Sequence, residues 1–450
     1  MTMGTGVPCR VPAPIAQALP ACPGFNPGDG FDLPRLVRLA PVTLPRGADL
    51  APAPPTAAEA YWLHESPSAT AAGGLSGIGR VLLAGFLVVL MALSGLLILA
   101  AVTTSTGVLG FLIGVCLALL PLPLVLAAFR WVDRYEPEPR GLLAFAFFWG
   151  ATVAALVSAV LNTATTMVIA GTGSPEDGMA ATAVLVAPWV EEGAKAGAVL
   201  AVFLFRRREF DGIVDGIVIA GLTGVGFAFT ENILYFGRAF LAGSEELGFS
   251  GGFFAAGLTF LLRGVLSPFA HPLFTVLTGI GFGLAARAGT GAVRWLAPVA
   301  GYLAAVLLHG LWNFSAVGGL GAFLTGYALI MVPAFGLVVA VAVWSRRREG
   351  ATVAGRLPAY VRAGWLASED VDMLASLSGR RRAVTWASGR YGERGGRALR
   401  AFQLAATELA FLRDRAERGR ADVDFQQRER LLLAELARTR AAVAGAPVHR

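Results

Sequence analysis

Charge is scarce in this chain. Only 15% of its 450 residues are Asp, Glu, Lys or Arg, 55% are hydrophobic, and the mean hydropathy is +0.63. A soluble globular domain, with about 25% charged residues, is excluded. Cysteine is nearly absent. Cys9, Cys22 and Cys116 form no CxxC pair and no metal spacing, which excludes a disulfide scaffold or a thiolate metal centre and predicts free thiols. No HExxH motif occurs. A basic start followed by an apolar core and a small-residue cleavage site is also missing, so residues 1–79, rich in Pro, Ala and Gly, read as a disordered cytoplasmic tail rather than a signal peptide.

What is present is a series of apolar runs, each long enough to cross a hydrocarbon core of about 30 Å as a helix. Eight spans are expected, at 81–103, 107–129, 141–170, 179–205, 212–240, 252–286, 295–317 and 320–344. Arginines follow the even-numbered spans: Arg130, Arg134 and Arg140, then Arg206 to Arg208, Arg287 and Arg294, and Arg346 to Arg348. The alternate loops carry only acids, Glu176, Asp177, Glu245 and Glu246. The positive-inside rule then places both termini in the cytoplasm of a multi-pass plasma-membrane protein. The net charge of +7 belongs to this topology and to anionic headgroups, so no nucleic-acid partner is implied. After Arg348, apolar residues at helical spacing (Phe402, Ala405, Leu409, Leu412, then Leu432 and Leu436) predict two amphipathic helices broken near Gly419. The fold class is thus an all-α polytopic bundle of about eight transmembrane helices. A tail (1–79) precedes the membrane domain (80–345), and a cytoplasmic helical hairpin (346–450) follows it.

Charge deep in the membrane is confined to spans four to seven. Glu191, Glu192 and Lys195 lie in span four, Glu231 and Asn232 in span five, Arg263 and His271 in span six, and His309 and Asn313 in span seven; span three offers Asn162 alone. Intramembrane ionisable groups are costly and point to function first. Counted from the cytoplasmic ends, Glu191, Glu231, His271 and His309 fall roughly 20–28 Å deep, in one layer. Residues four apart share a helix face, as Glu191 with Lys195 and His309 with Asn313 do. Such a layer can converge in a bundle and set two carboxyls in different roles.

Taken in order, Glu191-Glu192-x-x-Lys195, Phe227-x-x-x-Glu231-Asn232, His271 before a Gly-rich helix, and His309-x-x-x-Asn313 resemble the PrsW family of intramembrane proteases. The loop Asp133-Arg-Tyr-Glu-Pro-Glu-Pro139 is similar to that family too. The resemblance covers about 80–345. It extends to the CAAX-processing and bacteriocin-immunity type proteases, which have Arg in place of this Lys and His in place of this Glu231. It implies hydrolysis of a peptide bond in or beside the membrane in a single-pass substrate, such as the first cut in an anti-sigma factor. Glu191 or Glu192 is then expected to activate water, with Lys195 and Glu231 orienting it and Asn313 donating to the oxyanion. Asn232 supports the site. His271 and His309 either bind a metal, zinc being the candidate, or shuttle protons. Without HExxH and with Lys195 already supplying positive charge, the metal-free course is favoured.

Rival readings exist. The acids and histidines suit a proton- or cation-linked transporter, although no repeat relates spans one to four to five to eight; a catalytically dead, substrate-binding relative is a further alternative. Singly, the glutamates read as half of a structural ion pair, each His as bonded to a carbonyl, and Arg263 as snorkelling to headgroups. Gly212-x-x-x-Gly216 and Gly279-x-x-x-Gly283 read as packing faces, and Asp215 as the partner of the Arg206–Arg208 cluster. His64 and His449 are assigned nothing.

Overall fold

A computed structural model describes residues 77–444, apart from 172–173, 208, 289–290 and 422–423. Nearly all of the expected tail, with Cys9, Cys22 and His64, lies outside the described residues, as does His449. Among the described residues every regular element is a helix. The principal ones are α1 (Gly77–Leu119), α2 (Leu122–Val132), α3 (Arg140–Ala170), α4 (Ala187–Phe205), α5 (Ile213–Phe260), α6 (Ala270–Arg287), α7 (Val293–Val317), α8 (Val332–Arg356), α9 (Leu377–Glu417) and α10 (Phe425–Ala444).

Among the described residues, five segments are long and apolar enough to cross a membrane: Val81–Val132, Arg140–Ala170, Ile213–Arg287, Val293–Val317 and Gly319–Arg362. Two of them, of 52 and 75 residues, far exceed the roughly 20 that a bilayer needs, and each folds back on itself. α5 reverses at Leu247-Gly248, where Gly248 has φ 70°, a conformation open to glycine at little steric cost. Phe240 and Phe253 then meet with ring centroids 5.3 Å apart, and Phe236 and Phe260 at 5.8 Å. In a straight helix these pairs would be about 20 and 36 Å apart. α1 breaks likewise at Gly107 (φ 65°): Thr106 and Gly110 both abut Gly237, and Gly114 abuts Ile233. The eight crossings expected from sequence therefore correspond, on length and composition, to five apolar segments, two of them helical hairpins. The expected fourth span, ending in α4, falls outside these five because Glu191, Glu192 and Lys195 lie together within it.

α5 and α6 form the centre. The apolar window of their segment is 83% buried, against 11% for that of α1 and α2, whose Leu82, Phe86, Val88 and Leu96 face outward, as lipid contact requires. The two Gly-x-x-x-Gly faces meet at the α5–α6 crossing. A Cβ on Gly216 would lie 2.1 Å from Gly279 O, and one on Gly283 2.5 Å from Gly212 O. Small residues are what let two backbones approach this closely. Gly216→Val is accordingly expected to remove most folded protein from detergent extracts, seen as loss of the monodisperse size-exclusion peak. Gly257→Ala, at a helix position with nothing within 4 Å, should leave that peak intact; equal behaviour of the two variants would refute the packing role.

Beyond the bundle, Val353, Leu357, Leu374, Leu409 and Leu436 close a separate core. The break at Gly419 (φ 72°) matches the sequence expectation, but α9 also reverses at Tyr391-Gly392. Ser388, Gly392, Gly395 and Gly396 repeat the spacing of Ser244, Gly248, Gly251 and Gly252, one turn design serving lipid-facing and C-terminal helices alike. This region packs on the bundle end that carries the 133–139 and 206–212 loops: Tyr135 donates to Ala375 O (2.8 Å) and Arg415 pairs with Asp211. Among the described residues Asp215 makes no ion pair with the arginine cluster. Its Oδ2 accepts the N–H groups of Asp211 and Gly212 (2.8 Å each) and so starts α5, while Arg206 pairs with Glu209.

Candidate active site

α4 enters the site through a π-helical turn, Thr182–Val186. In this turn Ala187 N–H reaches back to Thr182 O. The next donor in the same i to i−5 pattern would serve Ala183 O, but it is Pro188, which has no N–H. The Asn313 side-chain amide fills the gap, its Nδ2 donating to Ala183 O at 2.8 Å. A buried carbonyl left without a partner costs free energy, so α7 and the start of α4 are tied at that point. Asn313 thus has a positioning place, where the sequence suggested an oxyanion donor. Asn313→Ala is expected to slow turnover of any substrate about tenfold by loosening α4, a typical price for a supporting hydrogen bond; an unchanged rate would dismiss this role.

From that turn Glu191, Glu192 and Lys195 project into the bundle, and all three are buried. Glu192 and Lys195 are 0% exposed, which only dense pairing makes tolerable. Lys195 Nζ donates to Glu192 Oε1 (2.8 Å), lies 3.6 Å from Glu191 Oε2 and 3.0 Å from His271 Nδ1, and sits 3.8 Å from the centre of the Phe227 ring. Glu192 is fully engaged: Thr275 donates to its Oε2 (3.0 Å) and His309 Nδ1 lies 3.0 Å from its Oε1. Glu191 is not. Its Oε1 accepts from Asn162 Nδ2 (3.2 Å), while its buried Oε2 has no hydrogen-bond partner.

The two histidines come from α6 and α7, with ring centroids 5.2 Å apart, and His309 stacks on Phe274 at 4.7 Å. With Lys195 protonated, His271 Nδ1 accepts and Nε2 carries the proton toward Glu231 Oε2, 2.6 Å away. The same glutamate oxygen pairs with Arg263 Nη2, whose Nε donates to Asn232 Oδ1 (2.8 Å). Each imidazole is thereby oriented by a carboxylate, His271 by Glu231 and His309 by Glu192, an arrangement common behind metal-ligating histidines; an ion on His271 would have to displace Lys195 from Nδ1. His309 Nε2 points to the free side of Glu191, 3.8 Å from Oε2.

The four helices therefore bring together Glu191, Glu192, Lys195, Glu231, His271 and His309, with Asn232 behind Glu231 and Asn313 on the backbone. Arg263, for which the sequence left lipid headgroups open, is drawn into the site. Asn162 and Thr275 were not assigned at all. The first had a signal, as the lone strong polar group of its span; Thr275 had none. A further signal lay in plain sight, since Lys195 is the only lysine among 37 basic residues.

One ligand atom each from Glu191, His271 and His309 lies within 4.8 Å of the others, and all three residues are buried. Three acidic side chains (Glu191, Glu192, Glu231) face two basic ones (Lys195, Arg263). The excess of acids and the Glu191 oxygen that makes no hydrogen bond suit a bound cation: one carboxylate and two imidazoles are a donor set for a divalent ion with an open position.

The sequence profile of the PrsW family intramembrane metalloproteases matches residues 138–344. A protein named Protease PrsW from Geobacillus kaustophilus is 31% identical over 191 residues, 42% of this chain and 73% of that protein. Another of the same name from Oceanobacillus iheyensis is 30% identical over 145 residues, 32% of this chain and 57% of its own length. No solved structure matches the chain.

Proposed function

This chain belongs to the PrsW family of intramembrane metalloproteases, and on that premise we propose that it hydrolyses a peptide bond of a single-pass membrane protein at or within the bilayer. The observation that carries the reading is the buried convergence of Glu191, His271 and His309 around a carboxylate oxygen that makes no hydrogen bond. With no ion bound, Glu191 Oε2 accepts the proton of the attacking water, since it is the acid oxygen that makes no hydrogen bond; with an ion bound, that oxygen would be a ligand instead. Glu192 holds Lys195 and His309 in place, and Glu231 with Arg263 holds His271. Lys195 offsets negative charge developing on the substrate carbonyl. Glu191, His271 and His309 would hold a divalent ion, zinc being the candidate, which would supply Lewis-acid polarisation of that carbonyl. The family's description as metalloproteases and the carboxylate behind each imidazole favour this course over the metal-free one expected from sequence. An anti-sigma factor is the proposed class of substrate.

The test is co-reconstitution of purified protein with a single-pass reporter in liposomes. Wild type should release a fragment that the Glu191→Gln protein does not; no cleavage of any of a panel of such reporters, with both proteins folded, would count against proteolysis. Topology is proposed as both termini cytoplasmic. The Arg-rich loops lie at the end where Tyr135 and Asp211 meet the C-terminal helices, as the positive-inside rule requires of cytoplasmic loops. Reporter fusions at Glu176 and Gly350 should report opposite faces, and a shared face would overturn the assignment.

A further inference from the structure

At the bundle end away from the site chemistry, an open pocket of about 320 Å³ is lined by Glu136, Glu138, Glu209, Asp211, Asp215 and Glu408, with Arg428 the one cation among the described residues of its walls. Three separate segments meet there: the Asp133–Pro139 loop, the loop leading into α5, and α9 with α10. Part of the charge is accounted for. Glu209 pairs with Arg206, Asp211 with Arg415, and Asp215 accepts two backbone N–H groups.

Glu138 is different. It is only 7% exposed, it lines the pocket, and among the described residues its carboxylate makes no hydrogen bond or ion pair. Its N–H is used, donating to Asp133 Oδ2 (3.0 Å), while Asp133 Oδ1 is itself buried without a partner. Burial, with Asp215, Asp133, Glu136 and Asp211 around it, pushes the Glu138 carboxyl up to about 11. Buried polar groups are nearly always satisfied, and a buried carboxylate among like charges calls for a counter-charge.

We infer that this pocket binds a hard divalent cation, Mg²⁺ or Ca²⁺, with Glu138 as a central ligand and Glu136 and Glu408 completing it from the loop and from α9. The donors are all oxygens, and among the described residues neither His nor Cys lines the pocket, which selects hard ions over zinc. The ion joins the Asp133–Pro139 loop to the C-terminal helices next to the start of α5, the helix that carries Glu231. This site is separate from that of Glu191, His271 and His309 in ligand type and in the ion it selects.

The full chain, purified in detergent and stripped with a chelator, is titrated with Mg²⁺ alone and with Ca²⁺ alone, following heat bound and thermal midpoint. Wild type should bind one ion saturably with a rise in midpoint, because a ligand of the folded state alone stabilises it. Glu138→Gln should weaken binding about tenfold or more, and without added ion its midpoint should equal or exceed that of wild type, since an unpaired buried acid has gone. His309→Ala should bind these ions as wild type does. Glu408→Gln, on the C-terminal helices, provides a second variant should Glu138→Gln not fold, and should also weaken binding. No binding by wild type up to about 10 mM, above the weakest affinities usual for such sites, overturns the inference. So does a Glu138→Gln protein, or in its stead a Glu408→Gln protein, that binds as tightly as wild type. Loss of binding in His309→Ala would instead place the ion at the other site.

Discussion

Glu191→Gln is expected to lower cleavage at least about 10³-fold, within the range for losing a general base, while leaving the thermal midpoint of the purified protein close to that of wild type. The amide keeps the size and the Asn162 contact of Glu191 but cannot take a proton. Its Oε2 makes no hydrogen bond in the resting site, and Lys195 keeps its closer partner, Glu192, at 2.8 Å. Glu192→Gln should behave differently, although it too abolishes cleavage. That change strips the anion from a fully buried cluster in which Lys195, His309 and Thr275 converge on one carboxylate. Breaking a buried pair by removing one partner costs about 3–5 kcal/mol, so this variant should lose stability as well as rate. The paired measurement is a reporter-cleavage rate and a detergent melting curve for each protein. Equal melting losses in the two variants would show that the division of labour between the adjacent glutamates is wrong.

His271→Ala and His309→Ala should each empty the proposed metal site, taking bound zinc from about one per chain to a trace and activity down with it, since two of three protein ligands cannot hold an ion in an otherwise open site. A chelator should reproduce the loss in wild type, and added zinc should restore it. Metal content by elemental analysis, alongside cleavage of the same reporter, decides the matter. Full activity in wild type held metal-free by chelator would return the mechanism to glutamate and histidine alone, with Lys195 the sole cation at the reacting face.

Much of the site was legible before the structure, because a membrane makes every buried charge conspicuous. Glu191, Glu192, Lys195, Glu231, His271 and His309 stood out against apolar spans, and helical spacing put Glu191 with Lys195. The helical fold, the packing glycines and the break at Gly419 followed from equally local signals: runs of apolar residues, small residues four apart, and a residue tolerant of positive φ.

What the chain alone settled was therefore composition and periodicity: helices, burial in lipid, and which residues are too costly to be there by accident. Only the tertiary structure decided which atoms face one another. It committed Asn313 to the carbonyl that Pro188 leaves unpaired, drew Arg263 onto Glu231 rather than outward, brought Asn162 and Thr275 in, and separated Glu191, with a free oxygen, from Glu192, with none. It also folded two apolar segments back at Gly107 and Gly248 and gathered acids from three distant loops and helices around Glu138. These outcomes rest on rotation of helices about their axes and on hydrogen bonds between residues as far apart in the chain as Tyr135 and Ala375, and spacing along one helix carries no information about either.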